Sequence, residues 1–317
     1  MKKIFIIFAC IIALITTIII IKKEKKTTQY TIGILQTASH PALDAARNGF
    51  IDELTKQLGN SVEFVVQNAQ GSITNTHIIA QKFHHDKTIA AVYAIATPAA
   101  QAIATLETQK PIIIAAVTDP YALGLMHPTT NVCGTQDMID IPAEISMLTT
   151  LLPDVHTIGL IYAAGEINSQ VLAEKMRTEL MLQNKNVLDF PLTSEADLSL
   201  VIETALRKTD ALLAPTDNIV ASSITLIASL CLKNKKPLIV SDNLLVASGP
   251  LAARGVDYYE SGKASALIAL KVLTQNTEPC TIPLETANSK TIFINKTTLD
   301  ALGLTIPASL EPIELVK

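Results

Sequence analysis

The sequence predicts an α/β protein: two similar, open, parallel-sheet domains preceded by an N-terminal hydrophobic helix. Three observations predict it. From Tyr30 onward, short aliphatic runs alternate with amphipathic helical stretches. Two of the aliphatic runs recur at one fixed offset. An apolar stretch bounded by lysines stands at the start of the chain.

The alternation is the main signal. Thr31-Ile32-Gly33-Ile34-Leu35 reads as a strand, residues 42–58 as a helix, and 62–66 as a strand. A helix over 73–83, a strand over 89–95, a helix over 98–108 and a strand over 111–117 follow. Strands joined through helices pair in parallel and are covered on both faces, so they are aliphatic throughout rather than alternating.

The repeat carries the two-domain reading. Thr157-Ile158-Gly159-Leu160-Ile161 echoes Thr31-Ile32-Gly33-Ile34-Leu35, and Lys236-Pro237-Leu238-Ile239-Val240 echoes Lys110-Pro111-Ile112-Ile113-Ile114. Both echoes lie 126 residues apart (157 − 31 and 236 − 110). The boundary falls near 132–141. Residues 249–255 read as loop, 261–273 as one helix, 280–284 and 292–294 as short strands, and 297–302 as a final helical turn. These pieces complete the two sheets. The expected division is 30–134 with 250–280 for the first lobe and 135–249 with 281–310 for the second, after an anchor and basic linker over 1–29.

Composition bounds the function. The chain has 317 residues, 49% hydrophobic and 17% charged, enough apolar material for two cores. Net charge is −4, without the clustered cationic footprint that nucleic acid requires. Cys10, Cys133, Cys231 and Cys280 lack the spacing of a zinc site. Those in the folded part are expected as small buried hydrophobes, and neither metal nor cofactor is expected.

Residues 4–21 form the apolar stretch, between Lys2-Lys3 and Lys22-Lys23-Glu24-Lys25-Lys26. Its length is at the lower edge of a membrane span and beyond a usual signal-peptide core. An uncleaved anchor is the expectation, ahead of lipidation at Cys10. Lysines at both ends leave the orientation open.

In open parallel sheets, ligands bind beyond the carboxyl ends of the strands. That rule selects loops 36–41, 96–98 and 118–120 in the first half, and 163–169, 215–218 and 241–243 in the second. If the domains face each other, all six line one cleft. These loops are rich in Thr, Ser, Asp and Asn. Thr97 before Pro98, Ser169, and Asp217 or Asn218 also suit helix caps, and Asp119-Pro120 suits a turn. Capped helix ends favour a carboxylate, and Asp119, Asp217 and Asp242 favour an ammonium. An amino acid carries both groups.

His40-Pro41-Ala42-Leu43-Asp44, Gln67-Asn68-Ala69-Gln70-Gly71, Ala96-Thr97-Pro98-Ala99-Ala100-Gln101 and Val117-Thr118-Asp119-Pro120 resemble the ABC-transporter substrate-binding proteins of the TrpX-like group. So do Gly165-Glu166-Ile167-Asn168-Ser169, Pro215-Thr216-Asp217-Asn218 and Gly255-Val256-Asp257-Tyr258-Tyr259. The resemblance runs over about 31–304. It implies a type I periplasmic-binding-protein fold with a multi-stranded hinge. It also implies a monomer that captures a small ligand, often an aromatic amino acid, outside the cytoplasm for a separate ABC permease. Its pocket loops map onto Thr97, Thr118, Asp119, Asn168, Ser169, Thr216, Asp217 and Asp242. The plain anchor departs from the family's usual cleavable or lipoprotein signal, and Asp242-Asn243-Leu244-Leu245-Val246 departs from its usual pocket sequence.

On this reading the ammonium meets Asp217, with Asp242 as second choice, and the carboxylate meets Ser169 and Thr97. Tyr93, Tyr258 and Tyr259 are candidates for stacking on an aromatic ligand or for core packing. The chain lacks GxSxG, GxxxxGK[ST], HExxH and GxGxxG, so an enzyme is not expected. His84-His85-Asp86 reads as a solvated loop. A ligand-sensing protein that docks on a separate receptor is the alternative.

Overall fold

The computed structural model describes residues 29–287 and 289–317. The expected anchor and Cys10 lie outside the described residues. Among the described residues, no helix is long and apolar enough to cross a membrane.

The first sheet is built from β1 (Tyr30–Gln36), β2 (Val62–Asn68), β3 (Ile89–Ile95), β4 (Ile112–Ala115) and β5 (Val132–Gln136). Its order is β2-β1-β3-β4-β5, with the short β11 (Glu285–Thr286) beyond β5. The second sheet contains β6 (Thr157–Ala163), β7 (Asn186–Leu192), β8 (Ala211–Ala214), β9 (Leu238–Asp242) and β10 (Ala252–Val256). Its order is β7-β6-β8-β9-β10, extended by β12 (Ile292–Asn295) and β13 (Ile313–Val316). The two lobes thus share the strand order 2-1-3-4-5, which is what the repeat at one offset implied. Pairing is parallel except between β10 and β12. Central strands such as β4 and β8 are buried along their whole length, as helices on both faces require.

Helices α1 (Pro41–Leu58), α2 (Ile73–His85) and α3 (Thr97–Ala104) connect the strands of the first lobe. Helices α4 (Ile141–Leu151), α5 (Ile167–Leu182), α6 (Leu198–Lys208), α7 (Asn218–Ser222) and α8 (Ile224–Lys233) serve the second. The long α9 (Tyr258–Gln275) follows a strand of the second lobe yet packs on α1, β4 and β5 of the first. It packs close because glycine faces backbone on both sides. A Cβ at Gly49 would lie 2.2 Å from the Tyr259 carbonyl oxygen, and one at Gly262 would lie 2.1 Å from that of Ala46. The short α10 (Lys296–Leu302) follows β12.

Several expectations are corrected. The expected loop 249–255 contains β10. This strand lies in the second sheet although 250–280 was assigned to the first lobe, and β11 lies in the first although 281–310 was assigned to the second. The periodicity of β10 is hidden because Arg254 and Gly255 interrupt an otherwise apolar run. Gly255 is needed there: a Cβ would meet the Ser241 carbonyl oxygen of β9 at 1.7 Å. The strand expected over 280–284 is a 3₁₀ turn at Pro279–Thr281. The strand expected over 111–117 ends at Ala115, because Ala116 turns to φ 56° and leaves the extended region.

The chain therefore passes between the lobes three times: after β5, after β10, and between β11 and β12. The second and third passages are joined by the Asp257 N–H to the Ala287 oxygen (2.9 Å) and the Ser289 N–H to the Gly255 oxygen (2.8 Å).

Candidate ligand-binding site

The carboxyl ends of both sets of strands face one another, and five of the six selected loops line the space between them; beside the sixth, 118–120, only Ala116 just before it does so. His40, Ala96 and Ala116 approach from the first lobe; Asn168, Thr216 and Asp242 approach from the second. The lobes are closed on each other, leaving a cavity of about 30 Å³. Apolar walls come from Ala42, Leu43, Ala221 and Leu245. A ligand larger than one or two waters enters only when the lobes part.

Four of the eight residues selected from the sequence line this cavity: Asn168, Thr216, Asp217 and Asp242. The other four stand behind or beside it. Thr97 Oγ1 accepts from the Thr118 N–H at 3.3 Å. The Thr118 hydroxyl donates to Asp137 Oδ1 at 2.7 Å. Ser169 Oγ lies 3.5 Å from the Thr216 carbonyl oxygen. Asp119, at φ 50°, accepts from Lys175 Nζ at 3.3 Å across the mouth of the cleft.

Asp217 acts as a helix cap. Its Oδ1 accepts from the Val220 N–H at 2.8 Å, capping α7, and its Oδ2 accepts from the Ala163 N–H at 2.5 Å, tying the helix to the end of β6. Both oxygens are engaged by backbone. Asp242 is freer: only Oδ1 is engaged by backbone, accepting from the Leu244 N–H at 2.9 Å.

The selected eight lack the lining residues His40 and Asn218, which lie in two of the selected loops, and also lack Asp137 and Tyr258, the latter named only as a stacking or core candidate. Asp137 and Tyr258 follow the fifth strand of a lobe, so the rule of strand ends, extended one strand further, would have found them. The Tyr258 hydroxyl donates to Asp137 Oδ2 at 3.0 Å. The other two stacking candidates lie elsewhere. Tyr93 is core, stacked on Phe50 with ring centroids 3.8 Å apart and its hydroxyl on the Ala46 oxygen. Tyr259 is exposed and donates to Asp52 Oδ2. His84 Nδ1 is 3.1 Å from Glu107 Oε2, away from the cleft.

The cavity is acidic. Among the described residues, no lysine or arginine lines it, while Asp137, Asp217 and Asp242 do. Burial pushes the Asp242 carboxyl up to about 7, helped by the nearby charge of Asp137, which burial also raises. Glu166 backs the cavity and is raised to about 7 by burial and by the charge of Asp217. Holding two carboxylates together away from water is unfavourable unless a proton or a cation is shared.

The cavity also holds polar atoms without partners. Among the described residues, four buried side-chain polar atoms have no hydrogen-bond partner: His40 Nδ1, Asn168 Oδ1, Thr216 Oγ1 and Glu144 Oε2. The residues carrying the first three all line the cavity. Two alanines at adjacent strand ends, Ala96 (φ 76°) and Ala116 (φ 56°), hold left-handed backbone beside them. Such conformations are unfavourable for residues with a Cβ and gather where backbone is aimed at a ligand.

Comparison with known proteins agrees with this geometry. Residues 31–313 match the family model described as ABC transporter substrate binding protein. A Tyrosine-binding protein from Clostridioides difficile (strain R20291) is 35% identical over 283 residues, 87% of this chain and 81% of that protein. The crystal structure of an ABC domain in complex with L-Trp from Streptococcus pneumonia superposes with a TM-score of 0.85 at 29% identity, over 89% of this chain and 97% of that one. The ligand-free, open structure of a substrate-binding protein with adhesive properties from Clostridium difficile gives 0.68 at 34% identity, over 91% and 99%. The conformation is thus nearer the L-Trp complex than the open form, although the open form is nearer in sequence. These relatives are binding proteins rather than enzymes. The chain belongs to the ABC transporter substrate-binding proteins and has their two-lobed type I periplasmic-binding-protein architecture.

Proposed function

We propose that this protein captures an aromatic amino acid outside the cytoplasm and delivers it to an ABC permease for import, tethered through residues 4–21. One observation carries the ligand class: a closed cleft that brings carboxylates and unpartnered polar atoms together with, among the described residues, no lysine or arginine in its lining. An ammonium between Asp137 and Asp242 relieves their repulsion and supplies donors. This revises the sequence-based choice of Asp217, whose oxygens are held by backbone, in favour of the second choice, Asp242. The ligand carboxylate lies toward the start of α3 and the Ala96 and Ala116 backbone, where helix N–H groups and turned peptides attract an anion. The relatives named for tyrosine and bound to L-Trp support an aromatic side chain.

Closure supplies the transport signal. A ligand that touches both lobes stabilises the closed form by its difference in affinity between the two forms. Calorimetric titration with each of the twenty amino acids tests the reading. The chain contains no tryptophan, so added L-tryptophan would also report its own binding by fluorescence. Saturable binding by tyrosine or tryptophan is expected, and the absence of any amino-acid binding would refute the proposal.

A further inference from the structure

His40 precedes α1 in the first lobe and is buried at the cleft. Its Nε2 lies 3.2 Å from Asn218 Oδ1, in the second lobe. Asn218 Nδ2 in turn lies 2.6 Å from Glu166 Oε2. That oxygen also receives Asn168 Nδ2 at 3.3 Å and, at 3.5 Å, the backbone N–H of Asn218, which can only donate.

The directions of these bonds are therefore set from one end. Glu166 Oε2 is an acceptor, so Asn218 presents its amide nitrogen to Glu166 and its oxygen to His40. An amide oxygen only accepts, so His40 Nε2 carries the proton. Burial lowers the pKa of His40 and keeps the ring neutral. A neutral ring with its proton on Nε2 has a lone pair on Nδ1, and that atom is buried without a partner in a residue that lines the cavity.

We infer that His40 Nδ1 is a specificity acceptor, which requires an N–H or O–H donor on the ligand and is set in that role by Asn218 and Glu166 only when the lobes close. The inference rests on the cleft being an amino-acid site and adds which atom tests the ligand. The Asn218 bond spans the two lobes, so opening removes it and frees the ring to change tautomer. Recognition at this atom is consequently made at closure, not at first encounter.

A buried acceptor left without its donor costs about 1–3 kcal/mol, a roughly 5- to 150-fold loss of affinity. Two isosteric variants separate the two ring nitrogens. Asparagine can place an oxygen near the position of Nδ1, and glutamine can place its terminal group near that of Nε2. Calorimetry on wild type, His40→Asn and His40→Gln would use three probes: L-tyrosine, L-phenylalanine (no hydroxyl) and 3-(4-hydroxyphenyl)propanoate (no ammonium). His40→Gln is expected to bind L-tyrosine at least about fivefold more weakly than His40→Asn. The penalty of His40→Gln should shrink toward one with the probe that lacks the donor, which identifies the hydroxyl or the ammonium as its source. Equal losses in both variants, or a penalty unchanged across the three probes, would overturn the inference while leaving the site reading intact. A wild type that binds none of the three but binds L-tryptophan is tested in the same way with L-tryptophan and indole-3-propanoate (no ammonium); failure to bind L-tryptophan as well would overturn both.

Nitrogen-15 spectra of His40 give a readout that does not depend on affinity. The Nε2-protonated neutral form is expected in the liganded wild type, with the Nδ1 resonance moved by ligand, and a mixture of tautomers is expected in Asn218→Leu. An Nδ1-protonated ring in the liganded protein would overturn the assignment.

Discussion

The Tyr258 hydroxyl donates to Asp137 Oδ2 at 3.0 Å, and the two residues stand on two of the three passages between the lobes. Both also line the cavity. A charge brought to Asp137 is therefore felt at the hinge itself, and the Thr118 hydroxyl on Asp137 Oδ1 completes the link to the first lobe. Tyr258→Phe removes one donor from a buried carboxylate while keeping the ring. We expect a loss of about 1.5–3 kcal/mol, seen as a lower melting temperature and weaker amino-acid binding together. A variant with wild-type melting and affinity would show the bond to be idle.

Asp242 and Asp217 should separate. Asp242→Asn keeps an acceptor for the Leu244 N–H and removes the charge proposed to meet the ammonium. Binding should weaken by the 2–5 kcal/mol of a lost buried charge partner, with melting unchanged or raised. Asp217→Ala instead removes the α7 cap and leaves the Ala163 N–H without its acceptor. Melting should fall by an amount equivalent to about 1–2 kcal/mol. Reversed outcomes in thermal melts and titrations would return the ammonium to Asp217.

Stability and affinity should respond to pH with opposite signs. Unfolded, Asp242, Glu166 and Glu144 titrate near 4; folded, burial raises them to about 7, about 7 and about 8. Between those values the folded form holds more protons, so the stability of the ligand-free protein falls as pH rises from about 4 toward 8. Ammonium binding favours ionised Asp242, so affinity should rise over pH 5–8 and binding should release protons. Melting curves and calorimetry in buffers of different ionisation enthalpy measure the two trends. A melting temperature that climbs across this range would contradict the assignment.

Gly262→Ala sets two effects against each other. Alanine favours an exposed helix interior by about 1 kcal/mol. At Gly262 its Cβ would lie 2.1 Å from the Ala46 carbonyl oxygen, which is backbone and cannot swing aside. Overpacking of this kind costs about 1–3 kcal/mol, so net destabilisation is expected in denaturant titration. A neutral result would mean that α1 and α9 part readily.

Lys175→Ala removes the pair that spans the mouth of the cleft. Both side chains are partly exposed, 47% and 26%, so the effect should be small, about 0.2–1 kcal/mol. Amino-acid affinity should fall less than about sixfold, and less still at high salt.

The sequence by itself determined the layers. Aliphatic runs at strand length, helices between them and one offset shared by two pairs of strings specify two parallel sheets of like order, because period and burial are local properties of the chain. It also determined which loops lie at the carboxyl ends of the strands, since strand direction alone decides that, whereas their meeting in one cleft depended on the two lobes facing each other. Only the tertiary structure decided which side chain in each loop does what. Asp217 suits both a cap and an ammonium partner by type, and the backbone N–H groups of Val220 and Ala163 that its oxygens accept settle it as a cap. The sequence reading does not single out Asp137 and leaves Tyr258 open between stacking and core; the fold brings the two together, hydrogen-bonded at the cavity. The Nδ1 acceptor of His40 depends on an asparagine and a glutamate from the opposite lobe, 178 and 126 residues away (218 − 40 and 166 − 40), and contacts at that separation exist only once the lobes have closed.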